Sequence, residues 1–271
     1  MDETQGKSSK SRESLSKLLR EGGEVLTVDN AASILSLENE EAAKALARWR
    51  NQGWFARVKR GVYVAVPLEA RDAAQALEDA WILIPDLFDP AYVGGWSAAE
   101  HWDLTEQIFR DICVFTGRPV TKRNQTIHNV PFVVTHAPPA QHFGTKLVWK
   151  KEKKILVSDP AKTIVDMLSN PWVGGGVQHV VDCLQQYFNS EHFKESQLID
   201  YAVRLGNGAV FKRLGFLASQ LLGDDHPLAL ACEMRLSEGK AQLDPALKGK
   251  KLITRWRLFI PANIQIGSKK V

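Results

Sequence analysis

The chain has 271 residues, enough for two compact domains, and its 44% hydrophobic and 24% charged residues are those of a soluble globular protein. The net charge of +4 is mildly basic rather than histone-like, so positive charge has to be localised to matter. Cys113, Cys183 and Cys232 are odd in number, far apart and outside any paired motif, which argues against a disulfide scaffold or zinc site and fits buried thiols in a reducing cytoplasm. Residues 1–12 contain no apolar leader, and no stretch approaches the ~20 apolar residues of a membrane span, so a cytoplasmic protein without a membrane partner is expected.

In chain order, the polar, Ser/Lys-rich residues 1–12 read as a disordered arm. SRESLSKLLREGG supplies a first helix, with Leu15, Leu18 and Leu19 on one stripe and Gly22-Gly23 as its stop. Asp29 is the expected N-cap of a short helix over residues 30–35, whose Ala31, Ile34 and Leu35 share a face. A turn at 36–39 leads to a third helix over about 40–52, closed by Gly53. There Ala42, Leu46 and Trp49 form the inner stripe, and Glu41, Lys44, Arg48 and Asn51 point outward.

A hairpin follows at once. Trp54, Ala56 and Val58 alternate with Phe55, Arg57 and Lys59; Arg60-Gly61 turns the chain; Val62, Val64 and Val66 return it; Pro67 ends it. This is the order of parts of a winged helix-turn-helix, in which one helix enters the major groove and the wing grips the backbone. Every charged residue from Lys44 to Arg60 is basic: Lys44, Arg48, Arg50, Arg57, Lys59 and Arg60. A charge run alone is more often a solvated face, but here it falls on the two elements that would touch DNA. Lys44, Arg48, Asn51, Arg57, Lys59 and Arg60 are therefore the candidate DNA-binding residues.

A boundary is expected at Pro67, then a helix over about 69–84 with Ala73, Leu77, Ala80, Trp81 and Ile84 buried, and a loop DLFDPAYVGGW. Ser97 and Glu100 read as a capping box for a short helix carrying Ala98, Ala99 and Trp102. Three strand-like runs follow at 111–116, 126–136 and 146–157. Asp159 caps a helix with Pro160 at its first position and Ile164, Val165 and Leu168 on its inner face; Asn170-Pro171 ends it, and the glycines at 174–176 reset the chain direction. Helical spacing continues through Val177, Val180, Val181 and Leu184, and through Val210, Leu214, Leu217 and Leu221.

The fold class is thus α+β: a disordered arm (1–12), a winged helix-turn-helix (13–67), a mixed α/β domain (68–223) and a C-terminal appendage (224–271). In the appendage, Arg255-Trp256-Arg257 reads either as a second basic contact through Arg255 and Arg257 or as an edge strand with Trp256, Leu258 and Ile260 facing the core.

Enzyme signatures fail: there is no H-E-x-x-H, no zinc-spaced cysteine pair, no P-loop, no G-x-G-x-x-G and no nucleophile elbow. The one tempting set is Glu152-x-Lys154 with Asp86 and Asp159, a loose echo of a metal-dependent nuclease. The triplet recurs at Glu238-x-Lys240, so KKEKK reads first as a solvated turn. No catalytic residue, metal or cofactor is assigned.

With these residues in view the chain resembles the AbiEi family of antitoxins from bacterial abortive-infection systems. The resemblance covers roughly residues 13–223. It rests on GWFARVKRGVY, GGWSAAEHWDLTEQ, HFGTK, SDPAKTIVDMLSNP and NGAVFKRLGFLASQLL in that order. It implies a winged-helix domain joined to an antitoxin domain, repression of the protein's own operon at inverted repeats in double-stranded DNA, and action against a nucleotidyltransferase-like toxin. It implies that Lys44 and Arg48 enter the groove, that Arg57, Lys59 and Arg60 grip phosphates, and that Asp159, Lys162, Thr163 and Asp166 belong to the antitoxin domain's most recognisable helix. This chain has Ala161-Lys162 where an acidic residue followed by Arg is usual. On physical grounds Asp159 is first a cap, and Thr163 and Asp166 lie on a polar helix face. The alternatives are a nuclease-like enzyme targeted by the wing and a ligand-responsive regulator without a toxin.

Overall fold

The computed structural model describes residues 2–67, 79–262, 264–266 and 269–270, with side chains from residue 10 to residue 266 within those ranges. Most of the helix expected over 69–84 lies outside the described residues. The chain divides into two compact units: Met1–Asp89 with Asn124–Phe132 and Trp149–Ile155, and Pro90–Arg123 with Val133–Val148 and Leu156–Val271. Its class is α+β: N-terminal helices carry a small antiparallel sheet, and a larger mixed sheet with helices follows. Among the described residues no helix is long and apolar enough to cross a membrane.

The first unit opens with α1 (Asp2–Glu21), which takes in most of the segment expected as a disordered arm. Glu, Gln and Lys there are good helix formers, the early acids suit a helix N-terminus, and Gly6 is the one breaker. β1 (Val25–Thr27) leads into α2 (Val28–Leu35) and α3 (Asn39–Asn51), then β2 (Phe55–Lys59) and β3 (Val62–Ala65). The strands lie in the order β1-β3-β2, both pairings antiparallel. Leu15 and Leu18 of α1, Ala31 of α2, Ala42, Leu46 and Trp49 of α3, and Phe55 and Tyr63 of the hairpin close one core.

Two details differ from the sequence pattern. The cap of α2 is Thr27, whose hydroxyl accepts from the Asn30 amide at 3.1 Å, and the helix starts two residues before the expected point. Asp29 lies in the first turn instead and accepts from Asn39 Nδ2 at 2.8 Å, so its carboxylate joins the beginnings of α2 and α3. In β2 the buried residue is Phe55, whose ring packs on Trp49 with centroids 6.4 Å apart.

The region 80–88 forms a 3₁₀ turn (Ala80–Leu83) and α4 (Ile84–Phe88), with Ile82, Leu83 and Ile84 buried and Trp81 only half-buried. The loop expected beyond it holds a strand, β4 (Ala91–Val93), central in a six-stranded sheet of order β6-β7-β5-β4-β9-β8. β4 pairs antiparallel with β5 (Ile112–Thr116) and parallel with β9 (Lys153–Ser158). Each of the two longer strand-like runs is a hairpin. Residues 126–136 divide into β6 (Asn124–Ile127) and β7 (Val130–His136) at His128-Asn129, both left-handed with φ of 50° and 60°. Residues 146–157 divide into β8 (Thr145–Lys150) and β9 at the lysine-rich turn.

The second unit's core is helical: α5 (Gly95–His101), α6 (Pro160–Ser169), α7 (Val177–Asn189), α8 (Glu195–Leu205), α9 (Gly208–Leu221) and α10 (Pro227–Glu233). Ser97 does not cap α5. It lies inside the helix, buried, and its hydroxyl accepts from the Cys113 amide at 2.9 Å. The residues expected as an appendage place Leu228, Cys232, Leu243, Trp256, Leu258 and Ile260 in the same core cluster as α6, α7 and α9. LITRWRLFI is two strands, β10 (Lys251–Ile253) and β11 (Leu258–Ile260), joined by a turn that holds both arginines.

Candidate nucleic-acid interface

The outer face of α3 is built by helical spacing. Glu41, Lys44, Arg48 and Asn51 are all exposed, with Ala42, Leu46 and Trp49 buried beneath them. Acids in the first turn (Glu40, Glu41) and bases in the last (Arg48, Arg50) suit the helix dipole. Lys44 pairs with Glu40 at 2.7 Å between two well-exposed side chains, a contact weak enough for a phosphate to replace. Arg48 donates to Ser11 Oγ at 3.3 Å and has its guanidinium 5.4 Å from the Trp49 ring centroid. Arg50, which the outward stripe did not include, donates twice to Asn51 Oδ1, at 3.2 and 2.7 Å. A bidentate amide–adenine contact needs that oxygen, so Asn51 can read a base only after Arg50 lets go.

Arg60-Gly61 makes the turn of the wing, with Gly61 at φ +81°, where a side chain would be strained. The register slips between Arg57 and Lys59, a bulge that adds twist. Arg57, Lys59 and Arg60 are all exposed. Arg57 Nε reaches back to the Lys59 carbonyl at 3.4 Å, and Lys59 Nζ donates to the Leu87 carbonyl at 3.3 Å. All six candidate residues therefore fall in one unit on its exposed surface, and Lys59 is the one tied to a backbone carbonyl outside the winged helix.

Arg255 and Arg257 belong to the other unit. Arg255 is clamped by Asp224 Oδ1 and Glu233 Oε2, each at 2.8 Å, and its guanidinium lies 5.0 Å from the Trp256 ring centroid. Arg257, at φ +50°, donates to the Ser237 carbonyl at 2.8 Å. Trp256, Leu258 and Ile260 are buried.

The nuclease-like set has other engagements. Asp86 pairs with Lys153 at 2.9 Å, Lys154 lies over the Trp149 ring at 5.0 Å, and Asp159 caps a helix. Among the described residues no cluster of His, Cys, Asp and Glu is arranged to hold a metal ion. The three thiols are buried, and burial pushes Cys183 and Cys232 up to about 12. They are unreactive at neutral pH.

α6 is not an amphipathic helix with a polar face: Pro160 to Leu168 are buried without exception. Asp159 Oδ1 accepts from the Lys162 amide at 2.8 Å, as the sequence predicts for a cap, and Oδ2 accepts from Tyr201 Oη at 2.8 Å and Gln197 at 3.2 Å. Thr163 donates to the Asp159 carbonyl at 2.8 Å. Lys162 Nζ donates to Asp166 Oδ1 and, at 3.0 Å, to Tyr92 Oη; that hydroxyl donates to Asp166 Oδ2 at 3.1 Å. Burial raises the Asp166 carboxyl above its ordinary range, with Lys162 and the Tyr92 hydroxyl pulling it back down. At the far end Arg213 of α9 donates to the Leu168 carbonyl at 2.6 Å and the Ser169 carbonyl at 3.0 Å, closing the C-terminus of α6 with a cation. The sequence signal that could have identified this lattice is the Lys162/Asp166 spacing of four.

The fold resembles the crystal structure of the RV2827C protein from Mycobacterium tuberculosis. The TM-score is 0.62 at 16% sequence identity, over 91% of this chain and 89% of that one. At that identity the likeness speaks for the fold alone. No protein-family model matches the sequence, and no curated protein matches it.

Proposed function

We propose that this protein is a DNA-binding antitoxin that represses its own operon through the winged helix and counters a nucleotidyltransferase-like toxin through its second unit. One observation carries the DNA half: from Lys44 to Arg60 every charged side chain is basic, and those on α3 and the wing are exposed except for half-buried Arg50. The antitoxin half rests on the ordered motifs that resemble the AbiEi family. The operator is double-stranded, with inverted half-sites about a helical turn or a multiple of it apart.

The test is a gel-shift titration on the DNA upstream of the protein's own reading frame, against salt. Each phosphate contact contributes about 0.9 to the salt slope, so R48A/R60A, which removes one groove contact and one phosphate contact, lowers the slope by about 0.9 and weakens binding more than about tenfold at ~0.1 M salt. An unchanged slope overturns the assignment. Co-expression with a downstream nucleotidyltransferase-like reading frame tests the second half, which fails if growth is not rescued.

A ligand-responsive regulator is the second reading. A cavity of about 660 Å³ in the first unit favours it, lined by Leu19, Glu24, Trp54, Val66, Ile82 and Lys151. Its walls include the root of the wing, so a bound molecule there would act on the hairpin proposed to grip DNA.

A further inference from the structure

Trp172 belongs neither to the winged helix nor to the α6 lattice. It sits in the 3₁₀ turn Pro171–Gly174 and keeps 39% of its surface exposed. Behind it the rings form a chain. Trp96 meets Trp172 edge-on at 6.3 Å, Phe109 stacks on Trp96 at 5.1 Å and 18°, and His179 meets Phe109 at 5.0 Å.

Hydrogen bonds hold this chain in place. Trp96 Nε1 donates to the Asp111 carbonyl at 2.6 Å, and the His179 ring is fixed between the Gly174 carbonyl at 2.6 Å and Thr105 Oγ1 at 2.8 Å. In front, the Arg123 guanidinium lies 5.6 Å from the Trp172 ring centroid. Arg123 ends the loop GRPVTKR, whose charged residues are all cations. Beyond Trp172 the chain runs through Gly175 and Gly176, and a Cβ built on Gly176 would meet nothing within 4 Å. Ile108, next to Phe109, is 83% exposed.

A tryptophan that only capped the core would be covered, whereas this ring keeps more than a third of its surface in solvent with a guanidinium beside it. A pre-set aromatic surface next to a cation matches a ligand that carries both a π-face and phosphates. An acidic peptide answers the cation alone, and a duplex keeps its bases stacked on one another. We propose that this platform binds single-stranded nucleic acid, with a base against Trp172 and Arg123 beside it engaging the adjacent phosphate. This site belongs to the second unit and does not rest on the operator reading.

The test uses the full chain with fluorescein-labelled dT12 and rU12 in anisotropy titrations at ~0.1 M salt, repeated with unlabelled operator duplex in excess. Wild type should bind with the duplex present. W172A should weaken binding about tenfold, the usual scale for losing one base stack. W172F should retain most of the affinity, which separates a lost stack from a lost fold, and R123A should flatten the salt dependence. R48A/R60A should leave oligonucleotide affinity unchanged while lowering duplex affinity. Equal binding by wild type and W172A overturns the proposal. So does loss of oligonucleotide binding in R48A/R60A, absence of binding in the wild type, or a Trp172-dependent protein complex without oligonucleotide binding.

Discussion

Replacing Asp166 by Asn tests whether the most recognisable helix of the chain is a folding element or a contact surface. Lys162 is 0% and Asp166 4% exposed, so both ions are desolvated. Opposite charges in direct contact attract by about 4 kcal/mol or more at an effective dielectric of about 20, which largely offsets the several kcal/mol lost in stripping each ion of water. The intact pair therefore contributes little net stability. D166N removes the attraction and leaves the ammonium buried, a loss of about 3–5 kcal/mol.

With a urea m-value of about 2 kcal/mol/M, that loss moves the midpoint of the second unit down by about 1.5–2.5 M. The triple variant K162M/D166L/Y92F removes the pair without orphaning the Tyr92 hydroxyl, and it should unfold within about 0.5 M of wild type. Far-UV circular dichroism and tryptophan fluorescence would be followed together, since two units need not unfold as one. A D166N midpoint equal to wild type refutes the reasoning. A D166N variant of full stability that no longer rescues growth would instead make α6 a contact surface.

Two further outcomes test neighbouring features. A Cβ on Gly215 of α9 would fall 2.1 Å from Trp256 Cζ3, so G215A should cost about 1–3 kcal/mol and lower Tm by about 4–10 °C in a calorimetric scan. An unchanged Tm would mean that Trp256 does not pack on that helix. R255A should leave operator affinity within about twofold of wild type, since a phosphate would have to displace Asp224 and Glu233 from that guanidinium. A tenfold loss in the gel shift would restore the tail as a second contact.

What the sequence made legible was local. The stripe Ala42, Leu46, Trp49, the Arg60-Gly61 turn and the Asp159 cap each follow from residues a few positions apart, and the structure places each as expected. What it concealed depends on distant partners. β4 is only three residues long, too short for alternation to register, and becomes a strand because β5 and β9 flank it. Thr163 and Asp166 have the spacing of a solvated face, yet both are buried, Thr163 against Ser158 of β9 and Asp166 against Tyr92 of β4. His128-Asn129 turns the chain without glycine, leaving Asn129 and Pro131 as the marks of the hairpin within that run. The platform at Trp172 joins rings from three separate segments and leaves no trace in any one of them.

Two of the motifs that carry the family resemblance converge on α6. Gly144 of HFGTK passes so close that a Cβ there would lie 3.1 Å from Lys162 Cβ, and its carbonyl accepts from the Asp159 amide at 2.8 Å. Asn207 of the NGAVFKRLGF segment bonds Ser169 Oγ at 2.9 Å, and Arg213 of the same segment closes the helix end. Lys162 keeps a buried cation opposite Asp166 inside this lattice. Inward-facing residues of this kind identify a fold and are blind to a partner. The toxin contact proposed above would therefore have to use exposed side chains of the second unit, and a search for it that mutates α6 would measure stability instead.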